Sequence, residues 1–203
     1  STVLPLSQRT WLETTVDLAL GRTKKVARWV ERRLAVHPRD AFARGLQVQL
    51  LAFSGKHKKA LDLVMSLHKE GMRGRFLAHA LNGAAWATVR AKALEAKVTA
   101  RAIKAARLSI KLMPKAATRS TLAMLLADNG DLQGAHKSWI TSRALTLKPG
   151  DWLVYGRIAV RAGPRETALK AYRSVGSKAW GMGTAKLAKN SAARILGSSA
   201  PRK

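Results

Sequence analysis

Side chains that could carry catalytic or metal chemistry are scarce in this sequence. The 203 residues include no cysteine, which excludes thiolate metal sites, cysteine nucleophiles and disulfides. The five histidines show none of the close pairing that sets two imidazoles on one helical turn for zinc. They are His37, His57, His68, His79 and His136. We therefore expect no bound metal.

Two short segments look like ligand-binding loops but have simpler explanations. Asp128-Asn129-Gly130-Asp131 lacks the acidic residue that a calcium loop carries twelve positions along, and capping of a helix explains it better. Gly181-Met182-Gly183 lacks the third glycine and the preceding strand of a dinucleotide fingerprint, and no Gly-Lys-Ser/Thr loop for phosphate occurs. The sequence predicts no cofactor and no enzymatic activity.

Basic side chains greatly outnumber acidic ones, with 38 Lys and Arg against 11 Asp and Glu and a formal net charge of +27. One set recurs at steps of three and four residues along a predicted helix, and we call it the basic stripe: Lys97, Arg101, Lys104, Arg107 and Lys111. A second set, the amino-terminal basic face, comprises Lys24, Lys25, Arg28 and Arg32. Two explanations stay open: a surface for polyanions, or a solvated exterior that keeps the protein in solution.

The elements that carry these side chains repeat along the chain. Small residues form a ladder with spacings of 34, 42, 33 and 33, at Val26, Ala60, Ala102, Ala135 and Ala168. In every unit but the third a glycine stands five residues earlier, where a tight turn between two helices would fall, at Gly21, Gly55, Gly130 and Gly163. The period predicts repeated helical hairpins with one insertion before Ala102.

The residues around the ladder match a known repeat signature. The fifth unit carries Trp152, Tyr155, Gly156 and Ala159 on its first helix and Ala168 and Tyr172 on its second. The fourth unit agrees through Leu122, Ala123, Leu126, Ala135 and Trp139. In the third unit Trp86 and Val89 fit, although Arg90 stands where a small residue is expected. Over about residues 7–176 the chain resembles the tetratricopeptide-repeat family, most closely in 83–176.

The resemblance implies an all-α fold, a right-handed α-solenoid of about five helical hairpins with a carboxy-terminal capping helix. The expected organisation is divergent hairpins in 1–70, a hinge at Gly71-Met72-Arg73-Gly74 with the start of the next helix in 71–82, three better-matching hairpins in 83–176, and a capping helix and basic tail in 177–203. Expected helix N-caps are Asp40, Asp131 and Asp151. Trp86, Trp139 and Trp152 occupy positions that fill the core, which favours packing over base stacking.

A concave groove lined by the first helix of each hairpin is where this family holds its partners. The corresponding candidates are Phe42, Gln49, Phe53, Ser120, Met124, Leu153, Arg157 and Arg161. The resemblance thus implies a non-enzymatic scaffold with a protein or peptide partner. The alternative is a basic helical repeat that docks on nucleic acid, RNA in particular, or on an anionic membrane surface.

Location and assembly state stay open at this stage. No apolar run reaches the roughly 18 to 20 residues that cross a bilayer, so we expect a soluble chain without a transmembrane segment. The sequence begins at Ser1 without Met, and it fits a cytoplasmic protein as well as a soluble domain of a larger or membrane-anchored one. Nothing in the residues indicates an oligomeric state.

Overall fold

Every element in the described part of the chain is a helix. The computed structural model describes residues 13–14, 17–18, 22–91, 95–141, 149–162, 165–175 and 184–197. Ten helices have defined bounds there: α1 Thr23–Val36, α2 Ala41–Phe53, α3 His57–Lys69, α4 Gly74–Arg90, α5 Ala96–Leu112, α6 Ala116–Asp128, α7 Leu132–Ile140, α8 Pro149–Ala162, α9 Arg165–Ser174 and α10 Thr184–Gly197. Among the described residues, no helix is both long and apolar enough to span a bilayer.

The helices pack as consecutive hairpins in a right-handed α-solenoid, which confirms the predicted fold class. The pairs α2–α3, α4–α5, α6–α7 and α8–α9 each form one hairpin, and α1 packs on α2 ahead of them. The first helices α2, α4, α6 and α8 contact one another in sequence and form a continuous row. Helix α10 caps the stack by packing on α8 and α9.

The ladder of small residues is the contact line within the hairpins. Four of its members have no solvent exposure and Val26 has 1%. The turns before two of them need a left-handed backbone, because Gly55 has φ +77° and Gly130 has φ +87°, a region that side chains disfavour. The period read from the sequence is therefore confirmed at these hairpins. Gly21 and Gly163 lie outside the described residues.

Two hydrophobic cores meet within α2. The smaller contains Leu18, Val26, Val30 and Leu46, and the larger begins at Val48 and extends to Ala188. The larger core therefore includes residues on both sides of 71–74. Gly71 and Gly74 have positive φ angles of 94° and 78° there. The hinge at this connection stays a prediction.

Two of the three expected N-caps are confirmed. The Asp40 carboxylate accepts a hydrogen bond from the Ala43 backbone N–H at 2.9 Å, and Asp131 accepts one from Gly134 at 2.8 Å. Burial would raise the pKa of Asp40, but the bond from Ala43 and the Arg33 guanidinium outweigh it and the pKa lies below its usual value. The expectation for Asp151 is wrong, because α8 starts at Pro149 and Asp151 is buried in its first turn.

The third hairpin departs from the predicted register. Helix α4 starts at Gly74 and has 17 residues, compared with 13 in α2 and in α6. Trp86 lies near the carboxy-terminal end of α4, whereas Trp152 lies in the first turn of α8, so the two are not equivalent. The insertion before Ala102 thus lengthens α4 and the connection that follows it.

The capping helix forms where the sequence predicts it, with Leu187 and Ala188 buried. Leu196, in the last turn of α10, is 53% exposed. The Arg165 guanidinium ties α9 to this end by donating to the carbonyl oxygens of Ile195 and Leu196. The tail expected at 198–203 lies outside the described residues.

Candidate groove between the first helices

A cavity of about 220 Å³ lies between the carboxy-terminal ends of α2 and α4, beside the first residue of α3. Its wall includes Gln49, Phe53, His57, Trp86, Ala87 and Arg90. The lack of a side chain at Gly83 helps to keep it open, since a Cβ there would stand 3.5 Å from Gln49 Cγ. Two consecutive first helices therefore enclose a space large enough for a side chain of a bound molecule.

The two predicted groove residues of α2 with a place in this wall are Gln49 and Phe53. Both are half-buried, so they keep surface that a ligand could contact. Gly45, one turn earlier, is buried instead where α2 crosses α4, and a Cβ there would meet the Phe76 carbonyl oxygen at 3.5 Å. Helix α2 thus packs closely on α4 at Gly45, and the groove lies farther along α2, at Gln49 and Phe53.

The cavity wall carries hydrogen-bond donors and no carboxylate. Burial, followed by the positive charge of Arg90, lowers the pKa of His57 below its usual value, so its imidazole is neutral at pH 7. Trp86 Nε1 is buried and has no hydrogen-bond partner, and the same holds for His57 Nδ1. The site therefore offers one exposed guanidinium, an amide and apolar walls, whereas the two ring nitrogens have no surface exposed to the open cavity.

Sequence reasoning missed three of these wall residues: His57, Trp86 and Arg90. The sequence gives His57 no binding role and predicts core packing for Trp86, which also packs against the larger core. One signal was present, because Arg90 stands where the repeat signature expects a small residue. A bulky cation at such a position marks a departure from uniform packing.

Two predicted groove residues are wrong because they belong to the core. Met124 is 2% exposed and Leu153 is 1% exposed, so neither is available to a partner. Phe42 is half-buried between two aromatic rings, with ring centroids 5.6 Å from Trp29 and 5.4 Å from Phe76. These three side chains pack in the interior and help to hold neighbouring helices together.

Arg157, also predicted for the groove, is a structural bridge. Its Nε and Nη2 donate to the two carboxylate oxygens of Asp128 at 2.8 and 2.7 Å, and Nη2 also donates to the Val89 carbonyl oxygen at 2.8 Å. Its side chain is 14% exposed. Helices α4, α6 and α8 are thereby joined by one guanidinium. Ser120 is half-buried on α6, and Arg161 is exposed at the end of α8, apart from the cavity.

Comparison with solved structures identifies the architecture. The chain superposes on the crystal structure of a thermophilic tetratricopeptide-repeat (TPR) protein from Thermus thermophilus with a TM-score of 0.66 and 19% sequence identity. The match covers 94% of this chain and 97% of that one. The fold is that of a TPR solenoid. No family model matches the sequence, and no match to a curated protein reaches significance.

The second helices of this TPR solenoid carry the basic side chains. All nine residues of the basic stripe and the amino-terminal basic face are exposed. Two of them have acidic partners that the sequence pattern did not indicate: Arg101 pairs with Asp62 of α3, and Lys25 pairs with Asp17 at 2.9 Å. The stripe therefore presents four side chains, rather than five, without an acidic partner among the described residues.

The tryptophans of the TPR solenoid pack as expected. Trp139 is buried and stacks on Tyr155, with ring centroids 5.5 Å apart, while Trp86 and Trp152 are half-buried against the larger core.

Within the described ranges, no group of three His, Asp or Glu side chains is arranged to hold a metal ion. The cavity between α2 and α4 is thus the best-formed candidate site in this part of the chain.

Proposed function

We propose that this chain is a non-enzymatic interaction scaffold that binds an extended segment of a protein partner in the groove between α2 and α4. The cavity there carries the proposal, because its wall combines side chains from two consecutive first helices with the turn between α2 and α3. Half-buried apolar groups beside a few polar side chains, here Gln49 and Arg90, are typical of sites that hold a ligand by burial and orient it by hydrogen bonds. The TPR-like fold supports the general class, since such solenoids bind along extended concave surfaces.

The first prediction is that filling the cavity abolishes binding. Ala87 lies in the cavity wall, and a methionine there is flexible enough to occupy the space. Peptides selected by the native protein from a displayed random library should bind Ala87→Met at least about tenfold more weakly, a loss of about 1.4 kcal/mol. Fluorescence anisotropy measures the affinity and circular dichroism checks the helices.

The matched control is Ala100→Met, which adds the same side chain to an exposed position of α5. It should bind the selected peptides like the native protein. Equal binding by both variants would place the peptide elsewhere and contradict the proposal.

A second candidate function is docking on single-stranded RNA. It is favoured by the exposed stripe on α5, a helix of 17 residues that contains no acidic side chain. Lysine and arginine along one helix face can neutralise successive phosphates, and the net charge of +27 would speed the approach of a polyanion.

Charge reversal tests this second candidate. Lys97, Lys104 and Arg107 changed together to Glu should weaken RNA binding and flatten the plot of log association constant against log salt by about 2, at roughly 0.7 for each lost phosphate contact. The control reverses Lys58, Lys59 and Lys69 of α3, which are also exposed, and so changes the net charge equally. If both triple variants lose RNA binding to the same extent, total charge rather than the stripe is responsible. If neither loses RNA or acidic-liposome binding, the stripe is a solvated surface.

A further inference from the structure

Helices α9 and α10 leave an open groove of about 620 Å³ where they meet. Its α10 side is formed mainly by alanines at helical spacing, among them Ala185, Ala188 and Ala192. Leu196 lines the same groove and is 53% exposed, and Tyr172 contributes from α9. The groove therefore presents apolar surface to solvent, which in folded proteins often marks a site of protein interaction.

The repeat explains why this surface is uncovered. Helix α10 packs on α8 and α9 as α8 packs on α6 and α7, so it holds the place of a first helix. In the hairpin before it, Gly156 of α8 lets the second helix approach, with Tyr172 directly against it. Ala192 follows Gly156 by about one repeat and lines the groove, but no described helix packs on α10 as α9 packs on α8. The register thus places the groove where the second helix of a hairpin would pack.

The small lining residues fit an α-helix with large apolar side chains. Ala185, Ala188 and Ala192 lie at steps of three and four residues and leave space between the turns of α10. Leucines at the same spacing on a second helix would fill that space, because ridges of one helix pack into the grooves of another. An extended segment places successive side chains on opposite faces and would match this spacing poorly.

The rim of the groove is positively charged. Arg173, Lys186 and Lys189 line it and are exposed, and no Asp or Glu among the described residues lines it with them. A second copy of this chain, with a net charge of +27, would bring more positive charge to the groove. RNA would neutralise the cations but leave the apolar floor uncovered. A helix that carries both leucines and glutamates is complementary to the floor and to the rim.

We propose that the α9–α10 groove docks an acidic amphipathic helix of another protein. The leucines of that helix pack on the alanines and on Leu196, and its glutamates pair with Arg173, Lys186 and Lys189. The docked helix takes the place of the second helix in the hairpin that α10 begins. This site is separate from the cavity between α2 and α4 and does not depend on an extended segment binding there.

The experiment selects binders to the full chain from a displayed library of helix-forming peptides of about 20 residues, a length of about 30 Å. Every peptide has glutamates on both flanks and varied apolar residues at the facing positions. We expect the selected peptides to bind saturably by fluorescence anisotropy and to become helical on binding by circular dichroism. Rearranged peptides of the same composition, without a continuous apolar face, should bind at least about tenfold more weakly. Equal binding by the rearranged peptides would overturn the proposal, as would failure to select any clone.

One pair of variants tests the apolar contact. Leu196→Ala removes an exposed apolar side chain from the groove and should weaken binding of the selected peptides at least about fivefold. Ile140→Ala is the matched control, because Ile140 is 48% exposed at the end of α7 and does not line the groove. It should bind like the native protein. Native affinity in Leu196→Ala would contradict docking in the groove.

A second pair tests the charged rim. Lys186→Glu combined with Lys189→Glu should weaken binding at least about tenfold. Lys58→Glu combined with Lys59→Glu changes the net charge equally at exposed positions of α3 and should weaken binding much less. Equal losses in the two double variants would show that total charge rather than the groove holds the peptide. RNA binding that depends on Leu196, or a dimer that Leu196→Ala dissociates, would assign the groove to another occupant and overturn the proposal.

Discussion

At the scale of single residues, Arg157 shows how one side chain can join three repeats. Its planar guanidinium bonds both oxygens of Asp128 and the Val89 carbonyl, which lie on two other first helices. It also lies beside Tyr172 of α9. Burial raises the pKa of the Tyr172 hydroxyl, and Arg157 and Ser191 lessen that rise. The bridge leaves the carboxy-terminal half of the row of first helices little freedom to open.

Arg157→Ala should destabilise the fold by about 2–3 kcal/mol, because it leaves the half-buried Asp128 without its bidentate partner. Arg157→Lys should recover only part of the loss, since an ammonium cannot make the same fork. Urea unfolding at constant m measures the change. Arg161→Ala, on the exposed surface of the same helix, should stay within about 0.5 kcal/mol. An Arg157→Ala variant as stable as Arg161→Ala would show that the bridge contributes nothing.

The role of Arg157 could not be read from the sequence. Its partners Asp128 and Val89 are 29 and 68 positions away, and only the packed hairpins bring them together. The repeat register predicts Arg157 in the open groove, whereas its guanidinium is bonded to groups on two neighbouring first helices. Whether that face is open or bridged depends on long-range contacts that no local spacing encodes.

At the scale of elements, α8 and α9 approach closely through a glycine. A Cβ on Gly156 would stand 2.6 Å from Cε1 of the buried Tyr172 ring, too near for real atoms. Both residues belong to the signature that the sequence displays in its fifth unit. The signature therefore records a packing requirement between two helices of one hairpin.

Gly156→Ala should cost about 1–3 kcal/mol through overpacking, although alanine favours helix by up to about 1 kcal/mol. Gly83→Ala is the matched control in α4. Its added Cβ would meet Gln49 Cγ at an ordinary 3.5 Å, so we expect no loss of stability. Thermal melting of the two variants gives the comparison. A Gly156→Ala protein that melts like the native one would mean that Tyr172 moves aside without cost.

The repeat spacing predicts residue positions correctly in the hairpins of regular length. The ladder residues and the caps Asp40 and Asp131 lie in hairpins of regular length, where spacing determines position. Helix α4 is longer, so Trp86 lies near its carboxy-terminal end instead of in its first turn. The insertion that displaces the repeat register in the third hairpin also places Trp86 and Arg90 at the groove.

At the scale of the whole molecule, the two hydrophobic cores differ in size. Among the described residues the smaller has four buried members, and the larger extends across the other hairpins to α10. Repeat proteins gain stability mainly from contacts between neighbouring units, so a unit with little buried surface opens at lower free energy.

Backbone amides should therefore lose hydrogen exchange protection first in α1, around Val30, and last in α5, around Ala106. Among the described residues, the buried side chains of α1 belong to the smaller core, whereas α5 is held by α4 and α6 on either side. We expect a difference of at least about tenfold in exchange rate, measured by mass spectrometry on the full chain. Uniform exchange across both helices would indicate one cooperative unit.

Helix α2 contributes to both cores and also to the cavity, and this gives a ligand leverage over the amino-terminal unit. Phe53 packs against the smaller core and also lines the cavity wall. A molecule held there stabilises α2, and because α1 packs on α2, thermodynamic linkage lowers the equilibrium population in which α1 has opened together with α2. The reciprocal also holds, since a substitution that loosens Val26 or Val30 would reduce affinity at a site that neither residue touches. Ligand occupancy of the cavity and the stability of α1 are thus thermodynamically coupled.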